Sequence, residues 1–412
     1  YLLYFSELPY QDATVPETVV VGAGPAGAAV ALMLANAGHA VTLLERQRDF
    51  AREFRGEILM PSGADVLDLM ALDDWRHQVV HQAQSELTLY LNRTHILSES
   101  ITAPAAVPLA ISQPDFLEYL INQADRHPNF RFISGAHLHE IKMSRGRVSG
   151  VIYRVGMDRQ TIPCDVLIGA DGRNSKVRKT LGFETQTTSP PMDIVWFKLP
   201  PLAHRRGLSA YVSRGHLAIL YQSWDGNLQM AWIILKGTFG ELRDRGIEAW
   251  AQQVCSHVDE VLADHIEANL ENLQHPFLLD SVSDCVTTWH RYGGLLIGDA
   301  AHTMSPVGAQ GINIALRDAY VTARELNSAY AHKATPERLD AAFAKIESLR
   351  VAEVKPIQAL QSRPPKVVLS NKWWGEMVRR SAAKLLTRPA IRHRATRVAQ
   401  PLIFGLTDIA ED

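Results

Sequence analysis

The sequence VVVGAGPAGAAVALMLANAGHAVTLLER, residues 19–46, predicts a strand, a tight turn, a helix and a second strand. Gly22, Gly24 and Gly27 form G-x-G-x-x-G directly after the first strand. In such a motif the first glycine permits the turn, the second lets the backbone approach a pyrophosphate, and the third lets helix and strand pack closely. Glu45 follows the last glycine by 18 residues, near the distance of about 20 expected for an acid that binds ribose hydroxyls. The stretch therefore predicts a dinucleotide site.

The acid after the second strand also selects among dinucleotides. A carboxylate accepts hydrogen bonds from a free ribose diol and repels a 2′-phosphate, so FAD or NAD is expected here rather than NADP. The predicted helix would present its unpaired N–H groups and the positive end of its dipole to the phosphates.

The composition is that of a globular protein. The chain has 412 residues, of which 46% are apolar and 21% charged, and this length allows two interleaved domains. A net charge of −2 gives no electrostatic reason to expect a nucleic-acid partner. The three cysteines, Cys164, Cys255 and Cys285, are scattered and have no metal-ligand spacing. They predict no disulfide framework and a reducing, cytoplasmic compartment.

One long segment without charged residues resembles a membrane span. No Asp, Glu, Lys or Arg occurs from Thr18 to Leu44, but glycines and Pro25 interrupt the segment where a phosphate-binding turn needs them, so a span is not expected. The opening residues, 1–10, lack a basic region and include Glu7. They are therefore not expected to form a signal peptide.

Two further stretches place an acid and glycines after a buried strand. CDVLIGADG, residues 164–172, ends in Gly-Ala-Asp-Gly, and LLIGDAAHTMSPVGAQGINIALR, residues 295–317, continues into a helix. The carboxyl ends of strands are where open α/β sheets bind ligands, and the second loop offers backbone amides and a carboxylate. His302 in that loop is either a general base or a hydrogen-bonded structural histidine, and we favour the structural role.

Residues 193–235 contain four runs rich in β-branched and aromatic residues, which predict an antiparallel sheet separate from the nucleotide core. A substrate pocket is expected between this sheet and the cofactor. Alternation alone does not say which side chains face inward, so the candidate walls are all of the large ones: Trp196, Tyr211, Tyr221, Met230 and Trp232.

Together the three glycine-containing motifs resemble one family. G-A-G-P-A-G at 22–27, G-A-D-G-R-N-S at 169–175 and G-D-A-A-H…P-x-G-x-Q-G-x-N at 298–313 occur in this order. Their order and spacing are similar to those of the single-component, group A FAD-dependent monooxygenases related to para-hydroxybenzoate hydroxylase. The resemblance covers residues 18 to about 330.

The resemblance implies roles for these motifs. The first binds the ADP moiety of FAD, the second lies near the pyrophosphate and is linked to NAD(P)H use, and the third holds the ribityl chain beside the isoalloxazine. Arg55 matches an arginine that contacts FAD, Gln113 falls where the family has Arg or Gln facing the flavin, and Ala309 departs from the usual glycine. The expected cofactor contacts are Gly22, Gly24, Pro25, Ala26, Gly27, Glu45, Arg46, Arg55, Gln113, Asp171, Gly298, Asp299, Pro306, Gly308, Gly311, Ile312 and Asn313.

The resemblance also implies the reaction. NAD(P)H reduces FAD, O₂ adds at flavin C4a, and the hydroperoxide transfers one oxygen atom to an electron-rich carbon, as hydroxylation or epoxidation. The protein shields the adduct from water and positions the substrate. No metal is needed, the nicotinamide is a transient reductant without a second Rossmann unit, and the choice between NADH and NADPH stays open. The expected substrate is a mostly apolar, electron-rich aromatic, polyketide-, alkaloid- or quinone-like molecule.

Other flavoprotein activities are the alternatives. Geranylgeranyl reductases carry Y-x-W-x-F-P-K-G where residues 230–237 read M-A-W-I-I-L-K-G, so double-bond reduction is the second hypothesis. Flavin-dependent halogenases need W-x-W-x-I-P, which does not occur. A flavin-binding protein without catalytic activity is a further alternative on fold grounds.

The predicted fold is α/β, with a Rossmann-type FAD-binding domain interleaved with a mostly antiparallel substrate domain and followed by a helical C-terminal segment. The tail, residues 363–404, is rich in Lys, Arg and aromatic residues. It predicts either a helical layer that packs over both domains, which we favour, or peripheral contact with an anionic membrane. The expected division is an extension at 1–17, FAD-binding parts at 18–86, 112–185 and 286–335, substrate-domain parts at 87–111 and 186–285, and the helical region at 336–412.

Overall fold

A computed structural model describes residues 17–51, 58–188, 192–213, 215–273, 276–362 and 373–410. Its nucleotide-binding core is a six-stranded sheet with the order β20-β21-β12-β1-β2-β8, parallel except at β20. The strands are β1 (Thr18–Val21), β2 (Val41–Leu44), β8 (Phe130–Ile133), β12 (Val166–Gly169), β20 (His290–Arg291) and β21 (Gly294–Leu296).

The order of this sheet creates a ligand-binding crevice. Successive strands β1 and β2 lie side by side, whereas β12 lies on the other side of β1. The chain therefore leaves the carboxyl end of β1 at a topological switch point, which is where open α/β sheets bind ligands. Strand β1 is buried along its whole length, because both faces of a parallel sheet are covered by helices.

The second large sheet has seven strands in the order β18-β14-β17-β16-β15-β5-β6. All pairings in it are antiparallel except that of β15 with β5. Its strands are β5 (Glu86–Leu91), β6 (Thr94–Ser100), β14 (Met192–Leu199), β15 (Leu208–Ser213), β16 (His216–Gln222), β17 (Leu228–Leu235) and β18 (Phe277–Leu279).

Three further sheets have three strands each. One of them sets β7 between β3 and β4, beside the seven-stranded sheet. Their strands are β3 (Ile58–Leu59), β4 (His81–Ala83) and β7 (Leu109–Ile111); β9 (Ala136–Ser144), β10 (Arg147–Val155) and β11 (Asp158–Pro163); and β13 (Thr185–Thr188), β19 (Ser283–Val286) and β22 (His302–Thr303).

The helices cover the sheets. Helix α1 packs against α9 and α4 over the nucleotide-binding sheet, and α9 packs against α10. The helices are α1 (Pro25–Asn36), α2 (Pro61–Leu69), α3 (Trp75–Gln78), α4 (Gln113–Ala124), α5 (Lys176–Thr180), α6 (Phe239–Asp244), α7 (Ile247–Cys255), α8 (Glu260–Glu267), α9 (Gln310–Ala331), α10 (Pro336–Gln361), α11 (Trp373–Leu386) and α12 (Pro389–Phe404).

The C-terminal helices are present, as the sequence predicted, and α12 contacts α2 and the turn before α9. Leu402 near its end approaches that turn closely, because a Cβ placed on Gly308 would lie 3.1 Å from a methyl carbon of Leu402. In the part of the chain that the structure describes, no helix has the length and apolarity that crossing a membrane requires.

Candidate functional site

The turn after β1 can be made only with glycine at two positions. Gly22 has φ +100°, and a Cβ placed on it would lie 2.4 Å from the carbonyl oxygen of Ala170. A Cβ on Gly27 would lie 1.9 Å from the carbonyl oxygen of Gly22. Helix α1 is thus held directly against the turn, and the turn against the end of β12.

Gly24 differs from its neighbours because its open side faces no protein atom. A Cβ placed there would meet nothing within 4 Å. Helix α1 begins at the next residue, Pro25, with no side-chain cap and no acid in its first turn. The first-turn N–H groups of a helix have no intrahelical partner and favour an anion. The arrangement fits a pyrophosphate that approaches Gly24, with the buried Ala26 behind it.

Glu45 lies at the carboxyl end of β2 with its side chain buried. One carboxylate oxygen accepts a hydrogen bond from the N–H of Ala23 at 2.8 Å, and the other accepts from the N–H of Gln47 at 3.0 Å. The carboxylate is therefore fixed beside the turn, where a negative charge suits a ribose diol. Arg46 is exposed, and Arg55 lies outside the described residues.

The second motif is organised by Asp171, which follows β12. Its carboxylate accepts hydrogen bonds from the hydroxyl of Ser175 at 2.5 Å and the N–H of Lys176 at 2.6 Å, and so supports the start of α5. Burial raises the pKa of Asp171, against the opposing effect of these hydrogen bonds. The side chain is thus used within its own loop, and a Cβ on the adjacent Gly172 would meet nothing within 4 Å.

The third motif begins where β21 ends and lies against the first. Gly298 has φ +57°, and a Cβ on it would be 3.1 Å from the Cβ of Ala26 in α1. The next residue, Asp299, forms an ion pair with Arg173 of the second motif at 3.4 Å, with about a third of each side chain exposed. All three motifs therefore meet at one edge of the sheet, as their positions in the sequence predicted.

The loop of the third motif turns into α9 through two left-handed residues. Gly308 has φ +72° and Ala309 has φ +52°. A left-handed conformation costs a residue with a Cβ roughly 1–2 kcal/mol. Ala309 bears this cost, because it stands where the resemblance implies glycine. Pro306 precedes the turn. In the first turn of α9, a Cβ on Gly311 would meet nothing within 4 Å.

The side chains at the start of α9 serve the protein itself. Ile312 is buried in the core. The Asn313 amide accepts a hydrogen bond from the N–H of Met60 at 2.8 Å and donates to the carbonyls of Ile58, at 3.2 Å, and Ala309, at 2.6 Å. A cofactor at this place would therefore meet backbone rather than these two side chains. Gln113 is half-buried in the first turn of α4, the helix that packs against α1.

His302 occupies a structural position. Its side chain is 1% exposed, with Nε2 2.6 Å from a carboxylate oxygen of Asp318 and its ring stacked on Trp289 at 5.0 Å. A general base must reach its substrate, and this imidazole is enclosed by protein. The structural role that the sequence favoured agrees with this geometry.

Sequence reasoning missed the partners of His302. Asp318 also accepts from Nε of Arg350 at 2.7 Å, and Arg350 in turn pairs with Glu353. These charged side chains are fully buried, and Arg317 completes the group through Glu353 at 2.8 Å. In the sequence, these four residues are charged positions on two helices. Charged residues are mostly exposed, so the sequence alone suggests that they face solvent.

The seven-stranded sheet divides the five candidate pocket residues between its faces. Trp196 and Tyr221 belong to an apolar cluster that includes Val307 and Ala309 of the third motif. This inner face is the one turned toward the predicted flavin position.

The other three candidates lie on the outer face. Tyr211, Met230 and Trp232 belong to a cluster with Trp250 and Leu262 of helices α7 and α8. The expectation that they line the pocket is corrected, because alternation along each strand directs them away from the cofactor domain. Trp232, which is also one of the residues shared with the reductase motif, lies on this outer face.

The fold and these turns are those of a dinucleotide-binding protein, and the comparisons identify its family. A family model described as "FAD binding domain" matches residues 16–353. The chain is 32% identical over 396 residues to 6-methylpretetramide 4-monooxygenase of Streptomyces rimosus, covering 95% of this chain and 94% of that protein. It is 25% identical over 344 residues to kynurenine 3-monooxygenase of Salinispora tropica, covering 74% of this chain and 71% of that protein.

The fold is shared with p-nitrophenol 4-monooxygenase of Pseudomonas putida, with a TM-score of 0.77 at 16% identity over 96% of this chain and 99% of that one. The chain belongs to the FAD-dependent monooxygenases. It is an enzyme that uses FAD and NAD(P)H, as the resemblance of its motifs predicted, and double-bond reduction is not favoured.

When FAD is bound, it accepts hydride from NAD(P)H and activates O₂. The protein contributes binding and exclusion of water. The glycine turns and the helix amino termini would hold the phosphates, Glu45 would bind the ribose, and the apolar inner face of the seven-stranded sheet would shield the flavin from water. A dry pocket protects a reactive oxygen species from hydrolysis and holds the substrate in a fixed orientation.

Proposed function

We propose that this monooxygenase hydroxylates a polycyclic, phenolic polyketide. The observation that carries the proposal is the 32% identity to 6-methylpretetramide 4-monooxygenase across 95% of the chain. The inner face supports it, because its described residues are mainly apolar and aromatic, including Trp196, Tyr221 and Phe277. Such a wall suits a flat, electron-rich ring system more than a small charged acid.

We also propose how FAD is held. The pyrophosphate would bind at Gly24 and the first turn of α1, the adenosine ribose at Glu45, and the ribityl chain beside Asp299 with the flavin against Gly308 and Gly311. Open space in front of Gly24 and Gly311 supports this placement. The remaining sequence candidates, among them Pro25, Gln113 and Asp171, would contribute through their backbone or through the second layer of the site.

The test is NAD(P)H oxidation in air by the FAD-loaded protein. The probes are 6-methylpretetramide, kynurenine and 6-hydroxynicotinate. Hydrogen peroxide is quantified, and the masses of the products are measured by mass spectrometry. We expect 6-methylpretetramide to accelerate NAD(P)H loss and to gain one oxygen atom. Acceleration by the small acids alone would contradict the polyketide proposal, and NAD(P)H loss that yields only peroxide would identify an effector. Running NADH and NADPH in parallel determines the preferred reductant.

Two proposals concern where the enzyme works. The three cysteines are buried free thiols, which supports a reducing, cytoplasmic setting. For the basic C-terminal helices α11 and α12 we favour packing over the fold, and peripheral contact with an anionic membrane is the alternative. Co-sedimentation of the full-length protein with anionic and with uncharged vesicles tests this, and equal binding to the two would contradict a contact made by the basic helices.

A further inference from the structure

Gln229 lies on the inner face of the seven-stranded sheet. In β17 it pairs with Lys198 of β14 and Tyr221 of β16, without a bulge in either pairing. Alternation along β17 puts its side chain on the same face as Ala231 and Ile233, which belong to the inner cluster with Trp196 and Tyr221. A carboxamide therefore lies on the same face as these apolar side chains.

This carboxamide has no hydrogen-bond partner among the described residues. Gln229 is 0% exposed, and both Oε1 and Nε2 are buried without a partner. Other buried glutamines use at least one amide atom: Nε2 of Gln310 donates to Leu402 and Nε2 of Gln361 donates to Ser305. An unsatisfied buried amide lowers the stability of a fold, so a fold that keeps one points to a ligand as the missing hydrogen-bond partner.

Further buried polar atoms lie at the same end of the sheet. Gln84 donates through Nε2 to the carbonyl of Gln222 at 2.8 Å, but its Oε1 has no partner in the described chain. Ser223, the next residue after β16, is 0% exposed and its hydroxyl is likewise without a partner there. The polar groups are all uncharged, and the nearby cation Lys198 is paired with Asp225 at 2.6 Å.

We propose that Gln229 is a specificity-determining residue that binds a neutral edge of the substrate, where one hydrogen-bond donor and one acceptor lie side by side. Nε2 donates to the substrate carbonyl, and Oε1 accepts from its hydroxyl or amide N–H. The inference rests on the proposed function, because it assigns the oxygenated edge of an aromatic polyketide to this amide. A carboxylate is disfavoured, since Oε1 would face an anion and the nearby described cation, Lys198, is already paired with Asp225.

The experiment uses FAD-loaded protein and three 2,3-disubstituted naphthalenes of similar size. 3-Hydroxy-2-naphthamide carries the neutral edge, 2,3-dimethylnaphthalene lacks it, and 3-hydroxy-2-naphthoate is charged. Binding is measured through the change in flavin absorbance. The variants are Gln229→Met, Gln229→Leu in case the first does not fold, and the control Gln253→Met. Gln253 lies on α7, behind the outer face, and also has a buried Oε1 without a partner in the described chain.

We expect the unmodified enzyme to bind the naphthamide roughly tenfold more tightly than the hydrocarbon, and Gln229→Met to lose that preference. Gln253→Met should keep it. The melting temperature of Gln229→Met should be equal or higher, because an unsatisfied amide is removed. If Gln229→Met keeps the preference for the naphthamide, the inference is wrong. It is also wrong if this variant has a lower melting temperature and binds all three probes equally less tightly. Neither result would contradict the proposed function. An unmodified enzyme that binds none of the probes contradicts the proposed function, and the inference fails with it.

Discussion

The carboxylate of Asp318 accepts a hydrogen bond from the backbone N–H of Gly298 at 2.9 Å, which ties α9 to the turn of the third motif. The same oxygen is 2.6 Å from Nε2 of His302, and the other accepts from Arg350 at 2.7 Å. Because Asp318 is fully buried, its charge is balanced only by these protein groups. The buried carboxylate of Asp318 therefore fixes the position of the turn at Gly298, which would hold the cofactor.

Replacing Asp318 with asparagine should destabilise the protein strongly. The substitution leaves the guanidinium of Arg350 with one fewer buried counter-charge, and breaking a buried pair costs about 3–5 kcal/mol. We expect a clear fall in melting temperature together with loss of bound FAD, read from the flavin absorbance of the purified protein. The control is Asp340→Asn, which breaks the partly exposed pair with Arg147 and should cost at most about 1 kcal/mol. Equal effects of the two variants would refute the role of Asp318.

The buried carboxylates should also make stability fall in acid. Burial raises the pKa of Asp318, but the charges of His302 and Arg350 outweigh it and hold the pKa below its ordinary value. In Glu353 burial is likewise outweighed by Arg350 and Arg317. Both carboxylates therefore stabilise the fold at a pH above their pKa in the unfolded chain, which is about 4. They lose this contribution as the pH falls through their lower pKa values in the folded protein.

The measurement is the melting temperature of the wild type and of Asp318→Asn from pH 6 down to pH 3. The gap between the two should narrow at the acid end, since protonation of Asp318 removes the charge that the variant already lacks. A gap that is constant or widens in acid would contradict the prediction.

Two glycines of the first motif should fail in different ways when changed to alanine. A Cβ on Gly27 would be 1.9 Å from the carbonyl oxygen of Gly22, whereas one on Gly24 meets no atom within 4 Å. Gly27→Ala should therefore lower the stability of the FAD-free protein by several kcal/mol. Gly24→Ala should change it by about 1 kcal/mol or less but weaken FAD binding. Melting and FAD titration of both apoproteins separate these effects, and a stable Gly24→Ala that binds FAD normally would exclude Gly24 from the phosphate site.

The motifs could be predicted because they are local. G-x-G-x-x-G, Glu45 and the later glycine turns each depend on backbone geometry within a few residues, so spacing alone gave the strand, turn and helix. Four strands of the seven-stranded sheet, β14 to β17, followed from β-branched and aromatic runs.

The faces of the substrate sheet could not be predicted. Period-two alternation separates Tyr211 from its neighbours in β15, but both faces of this sheet are apolar, one against α7 and α8 and one toward the cofactor domain. Only the tertiary packing shows that Trp196 and Tyr221 face inward. The Asp318–Arg350 pair was hidden for the same reason, since its partners are 32 residues apart on two helices.

Glu45→Gln should weaken FAD binding without unfolding the protein. In the unmodified protein, the N–H of Ala23 donates to the Glu45 carboxylate at 2.8 Å. The amide oxygen of the variant can still accept this hydrogen bond, but the negative charge that favours ribose hydroxyls is lost. Charged hydrogen bonds contribute about 1.5–3 kcal/mol, so the dissociation constant for FAD should rise roughly tenfold to a hundredfold. Fluorescence titration of the apoprotein measures it. The control, Glu140→Gln, removes an exposed carboxylate paired with Arg159, and a similar rise in that variant would refute a specific role for Glu45.

A chain that ends at residue 401 should lose stability and the geometry of the third motif together. The carbonyl of Leu402 accepts from Nε2 of Gln310 at 2.6 Å, directly after the turn at Gly308. The N–H of Leu406 donates to Glu353 at 2.9 Å. Their removal leaves a buried amide and a buried carboxylate each short of a partner, at about 1–3 kcal/mol apiece. Melting temperature and FAD content should both fall, while a chain ending at residue 410 keeps these contacts and should match the full-length protein. A lower melting temperature with full FAD content would show that the C-terminal segment stabilises the fold without shaping the cofactor loop.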